Sequence, residues 1–180
     1  MRAALALVRR NAALEIALIV ALAIGLVVSV QAYAVKPYRI PSESMEPTLL
    51  VGDQVIVNRF SHQLGAQPHV GDIVVFHPPT ATEETFIKRV VGVSGDRIAV
   101  RDGRVVRNGE LQEEPYARQC GDGPKCDLPR PMRIPNGHVY VMGDNRGASQ
   151  DSRFWGSVPL SDVIGEAVAI YWPPGRAGAP

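Results

Sequence analysis

The chain has 180 residues, 46% of them hydrophobic, and a formal net charge of +1. With an N-terminal apolar block set aside, that leaves one domain with a modest core. The scattered basic residues exclude the dense basic stripe of a nucleic-acid surface, and fifteen prolines with seventeen glycines predict many turns.

Arg2, Arg9 and Arg10 precede an apolar run from Ala12 to Val35, interrupted mainly by Glu15, Ser29 and Gln31. Its strict core, Ile16 to Val30, is about 23 Å long as a helix, and with its flanks the run reaches roughly 36 Å. A hydrocarbon core of about 30 Å needs that length. The pattern predicts a cytoplasmic N-terminus over 1–11 and a single transmembrane anchor over 12–35. The arginines stay inside, so the remainder lies on the far side of the membrane. Ala32-Tyr33-Ala34 has the small-x-small form of a secretory cleavage site, so a removed signal peptide competes with a retained anchor. Either reading exports the rest of the chain.

After Lys36-Pro37 short apolar runs alternate with turn residues. Strands are predicted at Gln54–Val57, Ile73–Phe76, Thr85–Gly92, Arg97–Val100, Arg104–Arg107, His138–Met142 and Val163–Trp172. Asp102-Gly103 and Asn108-Gly109 read as two-residue hairpin turns. Such spacing means a mostly β domain over 36–175, antiparallel and barrel-like or built of paired sheets, with 176–180 as a C-terminal tail. The segment from Leu111 to Arg133 reads as an extended loop. Within it Cys120 and Cys126 enclose a flexible stretch, and in an exported chain a local disulfide is expected. Two cysteines without nearby histidine partners do not fill a tetrahedral zinc shell, so no metal is expected.

Three stretches carry chemistry. Residues 41–46 read Pro-Ser-Glu-Ser-Met-Glu, and a serine hydroxyl needs a base within hydrogen-bond reach to act as a nucleophile. His62, His69, His77 and His138 are available, yet none is flanked by residues that single it out. Lys88 is the other candidate base, on a strand whose apolar neighbours bury whatever points inward. At its ordinary pKa only about one lysine in 2,500 is neutral at pH 7. Burial lowers that pKa, and bringing it near neutrality costs the fold roughly 4 kcal/mol. The strand pattern also admits an outward Lys88, with Phe86 and Val90 turned in. The third stretch, Gly143-Asp144-Asn145-Arg146-Gly147-Ala148-Ser149-Gln150-Asp151-Ser152-Arg153, is by itself a polar turn with an Asp–Arg pair.

Together these stretches resemble the bacterial type I signal peptidases, membrane-anchored serine-lysine proteases. The likeness runs from the N-terminal span through Pro41-Ser42-x-Ser44-Met45-x-Pro47-Thr48-Leu49, Gly71-Asp72-Ile73-Val74 and Ile87-Lys88-Arg89 to Gly143-Asp144-Asn145-Arg146 with Ser149-x-Asp151-Ser152-Arg153. It implies Ser44 as nucleophile, Lys88 as general base, and Ser42 with the Ser44 backbone N–H as the oxyanion hole. Ser149 corresponds to the serine that orients the lysine amine. Asp151 and Arg153 match a structural ion pair behind it, and Gly143 a position where bulk crowds the site. Arg89 and Asp144 are expected as scaffold. Tyr38, Ile40, Met45, Leu49, Phe86 and Ile87 match pockets for small substrate side chains on an extended peptide. The resemblance also implies signal peptides of exported preproteins as partners, a lipid bilayer around the anchor, the inner membrane as location and no cofactor. Two departures stand out: Gly147-Ala148 where the family commonly has Asp-Asn, and Glu43 between the serines where glycine is frequent. A specialised pilin or conjugation peptidase of the same family, and a catalytically inactive membrane-tethered binding domain, remain as alternatives.

Overall fold

The structure is a computed structural model describing residues 14–25, 27, 35–60, 65–80, 84–120 and 126–180. The chain divides into two units, Met1–Val35 and Lys36–Pro180. In the first, residues 14–25 and 27 are helical. Arg2, Arg9, Arg10 and the rest of the expected anchor lie outside the described residues, as does His62. Among the described residues no helix is long and apolar enough to cross a membrane. The described turns are nonetheless apolar apart from Glu15, with Leu14, Ile16, Leu18, Ile19, Leu22 and Ile24 all well exposed.

The second unit consists of antiparallel sheets. Its strands are β1 (Val35–Arg39), β2 (Gln54–Asn58), β3 (Ile73–Phe76), β4 (Phe86–Val93), β5 (Arg97–Arg101), β6 (Arg104–Arg107), β7 (Glu110–Leu111), β8 (Leu128–Arg133), β9 (His138–Met142), β10 (Val158–Pro159) and β11 (Val163–Trp172). A seven-stranded sheet runs β1-β2-β11-β3-β4-β9-β10, and a four-stranded sheet runs β7-β6-β5-β8. Strand β4 belongs to the first sheet and passes through a turn at Ser94-Gly95 into β5 of the second.

Period-2 alternation sorts the side chains into separate cores. From β3, Ile73 and Val75 pack with Val55, Val57, Ile40, Met45, Leu49 and Ile170. Val74 and Phe76 face the other way, onto Val90, Val139, Val141 and Val158. A third cluster, from Val91, Ile98 and Val100 to Tyr140 and Met142, draws on strands of both sheets. The hairpin turns form where expected: Asp102 (φ 51°) with Gly103 (φ 73°), and Asn108 (φ 55°) with Gly109 (φ 92°), take the left-handed conformations that such loops require.

Three features differ from the sequence reading. Strand β8 lies inside the expected 111–133 loop, and its prolines are tolerated because it is a sheet edge. Strand β1 begins within the expected anchor run. Residues 176–180 do not form a detached tail, because the Gly178 and Ile170 backbones exchange hydrogen bonds of 2.8 and 3.0 Å.

Candidate active site

The two serines sit on a loop closed at its neck by backbone pairing. Ile40 N–H donates to the Asp53 carbonyl (2.8 Å) and Gly52 N–H to the Ile40 carbonyl (2.9 Å). Ser42 is extended, and Glu43–Met45 then forms one 3-10 turn. The turn leaves Glu43 in solvent and sends Ser44 inward, where it is 6% exposed. Ser42 Oγ donates to Ser44 Oγ at 3.2 Å. Lys88 Nζ donates to the same oxygen at 2.7 Å and to the Ile87 carbonyl at 3.0 Å.

Lys88 pairs across the sheet with Val74 and is 4% exposed. The outward alternative therefore fails, for a geometric reason. Phe86, Lys88 and Val90 are two residues apart in a regular strand and share one face, so Lys88 cannot turn out while its neighbours turn in. The ammonium lies 5.5 Å from the Phe86 ring centroid. Burial lowers the lysine pKa to about 8, while the carboxylates of Asp151 and Asp144 pull it back up.

The loop after β9 forms the wall behind the dyad. Gly143 has no room for a side chain: a Cβ there would collide with Ser149 Oγ, with Ser149 Cβ and with the Ser44 carbonyl. Asn145 N–H donates to the Ser44 carbonyl (3.1 Å), and Asn145 Nδ2 to the Glu43 carbonyl (3.2 Å). Asp151 and Arg153 form a buried two-point ion pair at 2.8 and 2.9 Å. Arg153 also donates to the Arg146 carbonyl, which ties the two ends of the loop together. Ser149 Oγ donates to Asp151 Oδ2 at 2.8 Å rather than engaging the Lys88 amine. The expected lysine-orienting contact is not formed in this geometry, where the hydroxyl proton goes to the carboxylate two residues on.

The family model for signal peptidase, peptidase S26, matches residues 13–172. The chain belongs to that family. It is 40% identical to "Signal peptidase I" of Leptolyngbya laminosa over 169 residues, covering 88% of this chain and 79% of the relative. It is 39% identical to "Probable signal peptidase I-1" of a Synechocystis strain, over 89% and 82% of the two chains. "Signal peptidase I" of Bacillus caldolyticus is 34% identical over 84% of this chain and 87% of its own.

In this signal peptidase family member a cleft of about 270 Å³ opens onto the dyad. It is lined by Ser42, Ser44 and Lys88 together with Pro41, Phe86, Ile87 and Ala148, and by Glu84, Thr85 and Gln150. Of the residues expected in the substrate pockets, Phe86 and Ile87 line it. Ile40, Met45 and Leu49 are buried in the first core cluster, and Tyr38 packs against that cluster. Pro41, Ala148 and Gln150 were not expected in the substrate pockets, although Ala148 falls at the departure noted at 147–148.

A buried ion pair was also missed. Arg146 meets Glu114 at 2.6 and 2.9 Å, and Glu114 also caps the Val105 N–H. The pair fastens the 111–120 stretch to the 143–153 loop. Cys120 and Cys126 are disulfide-bonded with Cα atoms 5.8 Å apart. His69 is almost fully exposed, His77 is exposed, and the ring of His138 contacts the Asn136 carbonyl. None of these three is hydrogen-bonded to Ser44.

Proposed function

We propose that the chain is a membrane-bound serine endopeptidase that removes signal peptides from exported preproteins through a Ser44–Lys88 dyad. The observation that carries this reading is the buried 2.7 Å contact between Lys88 Nζ and Ser44 Oγ. In the ammonium form the lysine donates across it. Once deprotonated, the amine lone pair accepts the serine proton across the same distance.

In acylation, Lys88 takes that proton as Ser44 Oγ attacks the scissile carbonyl. The oxyanion is held by the Ser44 backbone N–H and by Ser42 Oγ–H, which turns to it from Ser44 Oγ. Collapse breaks the peptide C–N bond, and protonated Lys88 hands its proton to the departing amine. The signal peptide is left as an ester on Ser44. Lys88 then deprotonates a water that attacks the ester, releasing a carboxylate and returning the proton to Ser44. Gly143 lets the loop press against the Ser44 carbonyl, and the Asp151–Arg153 pair keeps Ser149 in that wall.

Phe86, Ile87, Pro41 and Ala148 form a shallow apolar floor suited to the small side chains before a signal-peptide cut. A helix that is apolar apart from one residue near its start, Glu15, belongs in hydrocarbon unless protein covers it. That supports the 12–35 run, up to the start of β1 at Val35, as a single-pass inner-membrane anchor, with 1–11 in the cytoplasm and the catalytic unit on the other side. The deciding experiment is precursor cleavage by the full chain in detergent. The reading requires that Ser44→Ala and Lys88→Ala stop cleavage, and a Lys88→Ala chain that still cuts overturns it.

A further inference from the structure

The loop that carries Ser42 and Ser44 is held from two sides. On the inner side Asn145 donates to the Ser44 and Glu43 carbonyls. The outer side is held by Arg176, from a segment that the sequence pattern leaves as a tail. Its Nε reaches both Asp53 carboxylate oxygens (3.0 and 3.1 Å), and its second guanidinium nitrogen reaches Asp53 Oδ2 at 2.9 Å. That same nitrogen also donates to the Thr48 carbonyl at 3.0 Å.

Asp53 is 2% exposed and forms the neck of the loop, where its backbone pairs with Ile40. Thr48 lies between the neck and the nucleophile turn. One guanidinium therefore cross-braces the loop from its neck to its middle. The brace is itself anchored: Arg176 closes a 3-10 turn onto the Pro173 carbonyl, and Gly178 pairs with Ile170, a core residue of the cluster that includes Met45. Thr48 passes the restraint inward, because its hydroxyl donates to Asp144 Oδ2 at 2.5 Å. Asp144 in turn holds Arg89, the residue next to Lys88.

We propose that Arg176 is a positioning residue for the hydrolytic site, a brace that keeps the Ser42–Ser44 loop aligned on Lys88. The proposal rests on the dyad reading above. Arg176 does not line the cleft, so it acts on the reaction geometry and not on substrate contact. A misplacement of about 1 Å at such a site costs up to roughly 10²-fold in rate.

Steady-state cleavage of a precursor by the full chain in detergent tests this, run well below the unfolding midpoint of each variant. Arg176→Ala is expected to lower kcat about ten- to a hundredfold at unchanged KM, with partial recovery on adding guanidinium ion. Arg176→Lys, which keeps the charge but not the two-point fork, falls between it and the parent. An Arg176→Ala/Asp53→Asn double variant is no worse than its poorer single, because the two side chains act as one unit. A folded Arg176→Ala chain with parental kcat, or one whose loss lies in KM, overturns the brace. If Arg176→Ala does not fold, Arg176→Lys decides alone: a several-fold lower kcat supports the brace, and a parental kcat overturns it. An unmodified chain that fails to cut defeats the dyad reading, whereas a cutting parent matched by its Arg176 variants defeats only the brace.

Discussion

On one face of β4 Lys88 reaches a hydroxyl and a carbonyl, whereas on the other its neighbour Arg89 holds a two-point carboxylate at 2.8 and 2.9 Å. Arg89 also donates to the Gly71 carbonyl and stacks 4.1 Å from the Tyr116 centroid. Both cations are buried. The difference is that Asp144 touches the arginine, while Asp151 and Asp144 act on the lysine only at a distance. The arginine, whose guanidinium does not deprotonate, serves as scaffold for that carboxylate. The lysine, buried with no carboxylate touching it, is the cation that burial moves toward the neutral base.

The contrast can be broken at each member in turn. The largest effect is expected for Lys88→Ala and Ser44→Ala, each lowering kcat on the order of 10⁴–10⁶-fold in a precursor assay. Lys88→Arg should be equally inactive, since a guanidinium does not deprotonate. On the other face, Arg89→Met leaves the Asp144 carboxylate buried without its partner. It should cost about 3–5 kcal/mol of unfolding free energy in denaturant titrations. Ser42→Ala removes one oxyanion donor and should lower kcat on the order of 10²–10³-fold while leaving stability near parental.

The pH dependence sharpens the comparison. Lys88 titrates at about 8 in the folded chain against 10.5 as its ordinary value. Between those values the unfolded chain binds more protons, so stability rises with pH across that window and is lowest, on this account, below 8. Lys88→Met removes the buried ammonium and should raise stability by up to about 3 kcal/mol at pH 6. That gain should fade as pH rises from 8 to 10.5. Cleavage by the parent chain should increase with pH through about 8. The smallest effect is expected for His77→Ala and His138→Ala, which should leave kcat/KM within about twofold; a large loss at either would sink the lysine as base.

Much of this was legible because it is local. Strands β2 to β6, β9 and β11 follow from apolar runs bounded by Gly-Asp, Asp-Gly and Asn-Gly. Motif order brought Ser44, Lys88 and the 143–153 loop into one site. What stayed hidden depends on partners distant in sequence or on which of several partners a side chain takes. Nothing in the loop sequence marks Glu114 as the buried mate of Arg146, 32 residues away. Ser149 donates to Asp151, a choice of partner that residue type alone does not reveal. Ile40, Met45 and Leu49 look the same on paper whether they floor a pocket or fill a core. Residues 176–178 carry too little pattern to announce that they pack. Parity along β4, by contrast, was available all along, since residues 86, 88 and 90 must share a face.

In the proposed mechanism the loop closed by Ile40 and Asp53 carries the nucleophile and the oxyanion donor together, whereas the base is fixed to an interior sheet strand. Thermal drift of that loop moves attack and charge stabilisation as one piece and leaves their mutual geometry intact. Only the gap to the amine then varies. The chemistry reduces to a single mechanical coordinate, so heat, detergent or a distant substitution would register as altered proton transfer before it registered as a damaged oxyanion site.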